Sequence, residues 1–205
     1  RRWAELAGKD GLVGEDTFGG EDPQIASQIT RIKSLAKQPD FIVICSFPPG
    51  GVSATRQLRA AGINQPLLGS ESWDGDFWLE GVPNLSDFYL VTYGSVFGND
   101  PRPEVADFMK KFGAKWNHAP VTSHAITGYS VIQAWTRAVE RAGTFDTDKV
   151  RDELQKFKDE PLLAGPTTFT ETDHINMQRD LLLIEVKDGK HGNVVQVVRA
   201  EKMPQ

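Results

Sequence analysis

The sequence predicts an α/β fold, with a parallel sheet flanked by helices, and three observations carry that expectation. The run FIVICSF at 41–47 is a continuous apolar stretch of strand length, the mark of a strand buried on both faces. Strand-length apolar segments then alternate with amphipathic helix-length segments as far as residue 119, which implies βαβ units with right-handed crossovers. Finally, 205 residues, 39% apolar and 25% charged, suffice for one substantial α/β domain or two small ones.

Taken in order, RRWAELAG at 1–8 reads as the last turns of a helix capped by Gly8. A short strand is expected around GLVGEDTF. In EDPQIASQITRIKSLAK, Asp22 suits the N-cap and Pro23 the first turn, and Ile25, Ile29, Ile32 and Leu35 recur at helical spacing. After FIVICSF comes the loop and helix PPGGVSATRQLRAAG, closed by Gly62. QPLLGS and DFYLVTYG are strands on either side of a short helix in WDGDFWLEG, and PEVADFMKKFGAKWN is an amphipathic helix. The alternation breaks near residue 119. SHAITGYSVIQAWTRAVERAG and TFDTDKVRDELQKF are consecutive helices, the second capped by Asp146 or Thr147. GPTTFT and a hairpin in LLLIEVKDGKHGNVVQVV, turned at DGKHGN, close the chain.

Several function classes are disfavoured. A net charge of −5 without a basic block does not suit nucleic acid, and no apolar run approaches the roughly 18–20 residues of a membrane span. The single cysteine, Cys45, excludes an intramolecular disulfide and reads as a small buried hydrophobe inside FIVIC. There is no GxxxxGK[ST] loop, no GxSxG elbow and no paired histidines at metal-ligand spacing; His118, His124, His174 and His191 fall in different elements. An enzyme is therefore not expected, nor a cofactor or a metal. The opening RRWAELAGKD does not read as a natural start. The helices at 121–157 have apolar faces without strands of their own, which fits a helical subdomain or a chain lacking its N-terminal portion.

The stretches QIASQITRIKSLAKQPDFIVICSFPPGGVSATRQLRAAGINQPLLGSESWDGDF, HAITGYSVIQAWTRAVERAG and GPTTFTETDHINMQRDLLLIEVKDGK resemble the periplasmic leucine/isoleucine/valine-binding family, the type I solute-binding proteins of ABC importers. The resemblance implies two Rossmann-like lobes that close on a ligand, here as an incomplete two-lobe architecture. Residues 1–119 would form most of the second lobe, 120–163 would cross to the first, and 164–205 would return to the hinge or second lobe. It also implies a periplasmic or extracellular protein whose partners are a small-molecule ligand and a membrane permease. The ligand would be a branched-chain or other hydrophobic amino acid; an aromatic carboxylate or amide, or service as a receptor's ligand-binding domain, is the alternative.

In an open parallel sheet, ligands sit beyond the carboxyl ends of strands. Phe47 ends one such strand ahead of Gly50–Gly51, glycines that let a ligand or another backbone approach closely. The resemblance places an aromatic ligand contact at or beside Phe47, where relatives often carry tyrosine. Glu71 ends another strand between Ser70 and Ser72; a carboxylate there can pair with an ammonium, and the resemblance assigns it the amino group of an amino acid. Asp74 either assists Glu71 or caps the following helix. Trp73 is a candidate pocket wall. His124 stands where relatives carry an aromatic residue; it can stack on the ligand, donate to a carboxylate or cap a helix. Tyr129 reads as packing.

Overall fold

The computed structural model describes residues 2–21, 24–176 and 179–199. Helix α1 (Arg2–Ala7) ends at Gly8, whose φ of 78° suits a residue without Cβ. The order is then α2 (Ala26–Lys33), β1 (Ile42–Ile44), α3 (Gly50–Ala60), β2 (Leu67–Gly69), β3 (Phe88–Thr92), α4 (Pro103–Trp116), α5 (His124–Ala142), α6 (Thr147–Leu154), β4 (Glu160–Leu162), β5 (Gly165–Thr167), β6 (Leu181–Lys187) and β7 (Lys190–Val198). Short 3₁₀ turns lie at Lys9–Gly11, Glu71–Trp73 and Leu79–Gly81. Five strands form a sheet in the order β1-β2-β3-β6-β7, and β4 and β5 pair by themselves. The β1–β2 and β2–β3 pairings are parallel, with Leu67 opposite Ile42 and Phe88 opposite Leu67. The expected α/β class with a largely parallel sheet is the observed one.

By contact the chain divides into two compact units, one drawn from Arg1–Val91 and Ile184–Asn193, the other from Thr92–Leu183 and Val194–Met203. The first holds most of the sheet. Phe88 and Leu90 on β3, and Ile184 and Val186 on β6, are fully buried, while the residues between them are only half covered. One face of the sheet therefore carries the core. Arg59 on α3 knits the unit together by donating to the carbonyls of Ile63, Gln65, Ser86 and Asp87 at 2.9–3.2 Å. Residues Asp188 and Gly189, with φ of 51° and 72°, make the two-residue turn between β6 and β7. That tip is pinned: the Asp188 amide donates to Ser86 Oγ at 2.9 Å, and the Gly189 amide donates to the Leu85 carbonyl at 2.9 Å.

Two expectations are corrected here. FIVICSF is not buried on both faces: β1 ends the strand order, Val43 is 53% exposed, and Cys45 is exposed rather than a core residue. An apolar run reads as doubly covered only when elements pack on both sides, and here alternate residues of the sheet stay open. GLVGEDTF forms no strand, because a strand needs a ladder and residues 12–20 lie along α2 instead. Leu35 packs on Gly14, Gln28 Nε2 donates to the Thr17 carbonyl at 2.7 Å, and Arg31 pairs with Asp16. The expected helix start at Asp22 and Pro23 lies outside the described residues.

In the second unit, Pro103 opens α4 and Asn117 closes it in the left-handed conformation. Asp146 caps α6 by accepting from the Lys149 amide at 3.1 Å, which settles the choice between Asp146 and Thr147. Ala134, Ala138, Val150, Phe157 and Leu162 form one core cluster; Val105, Ile126 and Leu163 form another. Glu160 on β4 accepts from Arg137 and Arg141 of α5 at 2.8 Å each. Burial works to raise its pKa, but the two guanidinium bonds outweigh it and hold the carboxyl below its ordinary value.

Candidate functional site

Two strand ends of the first unit carry the candidates Phe47 and Glu71. After β1 the chain runs through Ser46 and Phe47 and reaches α3 through a cis Pro48–Pro49 bond. After β2 it turns at once into the Glu71–Trp73 3₁₀ turn. The two ends are tied by hydroxyls: Ser72 Oγ donates to the Ser46 carbonyl at 2.8 Å and lies 2.9 Å from Ser70 Oγ. Glu71 sits between these serines, half-buried, and its carboxylate takes no hydrogen-bond or ion-pair partner among the described residues. A carboxylate held at such a turn is ready to accept from a cation. Phe47 presents its ring to solvent, 60% exposed, which is apolar surface at the end of a strand.

Trp73 has a different place from the one expected. It is 0% exposed, with ring centroids 4.9 Å from both Trp78 and Phe88, so its ring offers no surface to a ligand. It is the post on which the Glu71 turn stands. The sequence around it is shaped to admit the indole: a Cβ on Gly51 would lie 2.6 Å from Trp73 Cζ2, and one on Gly69 would lie 2.5 Å from Cδ1. Gly50, in turn, admits the Gly20 backbone, whose carbonyl oxygen would be 2.0 Å from an added Cβ. Both glycines lie inside the first turn of α3 rather than before it, and they serve close packing. Asp74 caps no following helix; it is buried, and its Oδ1 accepts from the Gly75 amide at 2.9 Å.

His191 of β7, which the sequence did not single out, anchors the same loop. Its Nε2 donates to the Gly75 carbonyl at 2.7 Å, and its ring meets Trp78 edge-on at 6.1 Å. Trp78 Nε1 donates to the Trp73 carbonyl at 2.8 Å, so indole and imidazole together hold the turn. Burial pushes the His191 pKa below its ordinary value, against the opposing pull of the Gly75 carbonyl and of Asp74 and Asp76.

In the second unit, the turn after β3 carries Tyr93. His124, the first residue of α5, is exposed and meets the Tyr93 ring edge-on at 5.3 Å. It is not the helix cap; that position belongs to Ser123, whose Oγ lies 2.7 Å from Thr92 Oγ1. The turn is held by a buried ion pair. Asp100, 1% exposed, accepts from the Arg102 guanidinium at 2.8 and 2.9 Å and from the Ser95 amide at 2.9 Å; Arg102 also donates to the Tyr93 carbonyl.

The family described as periplasmic binding protein matches residues 1–191. The chain belongs to that family. The leucine-, isoleucine-, valine-, threonine- and alanine-binding protein of Pseudomonas aeruginosa is 24% identical over 155 residues, 76% of this chain and 40% of its own length. Among solved structures, the branched-chain amino acid transporter substrate-binding protein of Streptococcus pneumoniae, in complex with isoleucine, superposes with a TM-score of 0.73. It is 21% identical, and the match covers 89% of this chain and 50% of that one. A solute-binding protein of R. palustris, in complex with benzoate, gives 0.68 at 22% identity over 96% of this chain and 54% of the other. The chain thus spans about half the length of these relatives, and it has the type I periplasmic binding protein fold.

Within this binding-protein fold, Glu71 and Phe47 lie in the first unit and His124 in the second. Tyr129 packs on Phe108 in a tilted ring contact at 5.1 Å and exposes half its surface. Reasoning from sequence missed the Ser46–Ser72 tie, His191 and the partners of Tyr93. The serines flanking Glu71 were visible as small polar neighbours. Nothing local marks the other two, whose partners lie far away in the chain.

Proposed function

We propose that this chain is the solute-binding component of an ABC importer, acting in the periplasm or outside the cell, with a branched-chain or other hydrophobic amino acid as its ligand. The observation that carries the reading is Glu71: a carboxylate at the carboxyl end of a parallel strand, flanked by tied serines and lacking a partner among the described residues. In this reading Glu71 accepts from the ligand ammonium and Phe47 covers the apolar side chain; His124, in the second unit, is a separate candidate for ligand contact. Residues 1–119 are assigned to the second lobe and 120–163 to the first, with 164–205 returning to the hinge or second lobe. Binding favours the closed form by differential affinity, and the closed form docks on the permease. No bond is made or broken, so the protein is not an enzyme.

The test is a thermal-shift screen of the full-length gene product with leucine, isoleucine, valine, benzoate and nucleotides. A ligand at about a hundred times its Kd adds roughly 2.7 kcal/mol of stability. Glu71→Gln is expected to weaken amino-acid binding by about a hundredfold or more while leaving the unliganded melting temperature in place. A shift with benzoate alone, unaffected by Glu71→Gln, retires the ammonium role and favours an aromatic acid. A shift with nucleotide alone sinks the assignment.

A further inference from the structure

Among the described arginines, four are not exposed: Arg59, Arg102, Arg137 and Arg179. Three of them each have a carboxylate or carbonyl partner. Arg59 donates to four carbonyls, Arg102 to Asp100 and the Tyr93 carbonyl, and Arg137 to Glu160. Arg179 has neither a carboxylate nor a carbonyl partner among the described residues. Its chain neighbour Asp180 is held by Arg199 at 2.6 and 3.0 Å. Arg179 instead lies over the ring of Tyr93, with its guanidinium carbon 4.2 Å from the centroid.

A half-buried guanidinium without an acceptor has lost water and gained little in exchange. Stacking on an aromatic face fixes its plane yet leaves the N–H groups at its rim unused. The ring beneath it follows β3 directly, so the group stands at the carboxyl end of a parallel strand, where open α/β sheets take their ligands. His124, edge-on to the same ring, adds ring nitrogens that make no hydrogen bond among the described residues. A single fixed cation with a flat donor edge matches the two oxygens of a monoanionic carboxylate.

We propose that Arg179, stacked on Tyr93 and flanked by His124, is a carboxylate-binding site, and that the solute this protein takes carries the carboxylate it reads. The proposal rests on the solute-binding reading above and deepens it by naming a chemical group the solute carries.

Calorimetric titration of the full-length gene product with two matched pairs, leucine against leucinamide and benzoate against benzamide, tests it. An acid is expected to bind more tightly than its amide. Arg179→Gln is expected to weaken the acid by roughly 30-fold or more and leave the amide unchanged. Arg179→Lys, which keeps the charge but not the fork, is expected to fall between. Should Arg179→Gln fail to fold, Tyr93→Leu removes the stacking platform and is expected to show the same selective loss. Unchanged affinity for the acid in these variants overturns the carboxylate site, as does a wild type that binds amides as tightly as acids. Failure of all four probes on the wild type overturns this proposal together with the function. A Glu71→Gln variant that binds amino acids normally overturns the ammonium role and leaves Arg179 standing.

Discussion

The turns after β2 and after β3 meet the same demand, holding an irregular loop at the carboxyl end of a parallel strand, and they do so by opposite chemistry. After β2 the support is apolar bulk: Trp73 fills the space that Gly51 and Gly69 leave open, against Trp78 and Phe88. After β3 it is a buried ion pair, Asp100 with Arg102, for which Gly94 clears the room; a Cβ there would come within 2.7 Å of Arg102 Nη2. The first device is non-directional and draws its strength from area removed from water. The second is directional. It fixes Ser95, Tyr93 and Arg102 in one geometry, but it holds only while both charges are present. Among the described residues, Glu71 has no cation partner in the first loop, while the buried carboxylate Asp100 in the second is engaged by Arg102.

The comparison sharpens into an ordered set of expectations. Trp73→Ala removes the largest fully buried side chain among the described residues and is expected to cost about 4 kcal/mol of stability by urea denaturation. A loss under about 1 kcal/mol would show that the indole is no post. Asp100→Asn leaves the Arg102 guanidinium, 12% exposed, without its counter-charge and is expected to cost about 3 kcal/mol. Replacing both partners, Asp100→Leu with Arg102→Met, is expected to recover much of that. A double variant as weak as the single one would mean the loop depends on the hydrogen bonds and not on the cancelled charge. The smallest effect is that of pH. The His191 pKa is lowered in the fold, so the unfolded chain binds a proton first as pH falls. Stability is fully present above the unfolded value of about 6.5 and is lost as pH drops through the lowered folded value. His191→Gln is expected to flatten that part of the profile; an unchanged slope would assign it to another group.

Much of this was legible in the chain itself because the signals were local. Gly8, Gly62 and Gly189 mark their turns with positive φ, and Asp146 caps the helix it was expected to cap. The strand ends carrying Phe47 and Glu71 followed from apolar runs and their boundaries. The misreadings share one cause, dependence on a partner distant in sequence. GLVGEDTF has strand composition but no neighbour to pair with, and FIVICSF is apolar throughout although one face of its sheet stays open. Trp73 was weighed for a pocket because nothing adjacent tells that Gly51 and Gly69 are hollowed to receive it. Arg179 was invisible for the same reason. That it has no acid partner among the described residues cannot be read from its neighbours in the chain, and the ring it lies on is Tyr93.

The pinned tip of the β6–β7 hairpin has a consequence for how the chain comes to be folded. Its bond to Ser86 joins residues 102 apart, and the strand beside β3 comes from the same late segment. Closing so long a loop is entropically costly and contributes nothing until both ends exist. On a ribosome moving at about 5–20 residues per second, the early strands would wait roughly 5–20 s for that segment to emerge. Through that interval β3 is the bare edge of an unfinished sheet, a template for mispairing with other chains. Fast capture by the hairpin, or shelter by a chaperone until it arrives, is therefore built into the requirements of this topology.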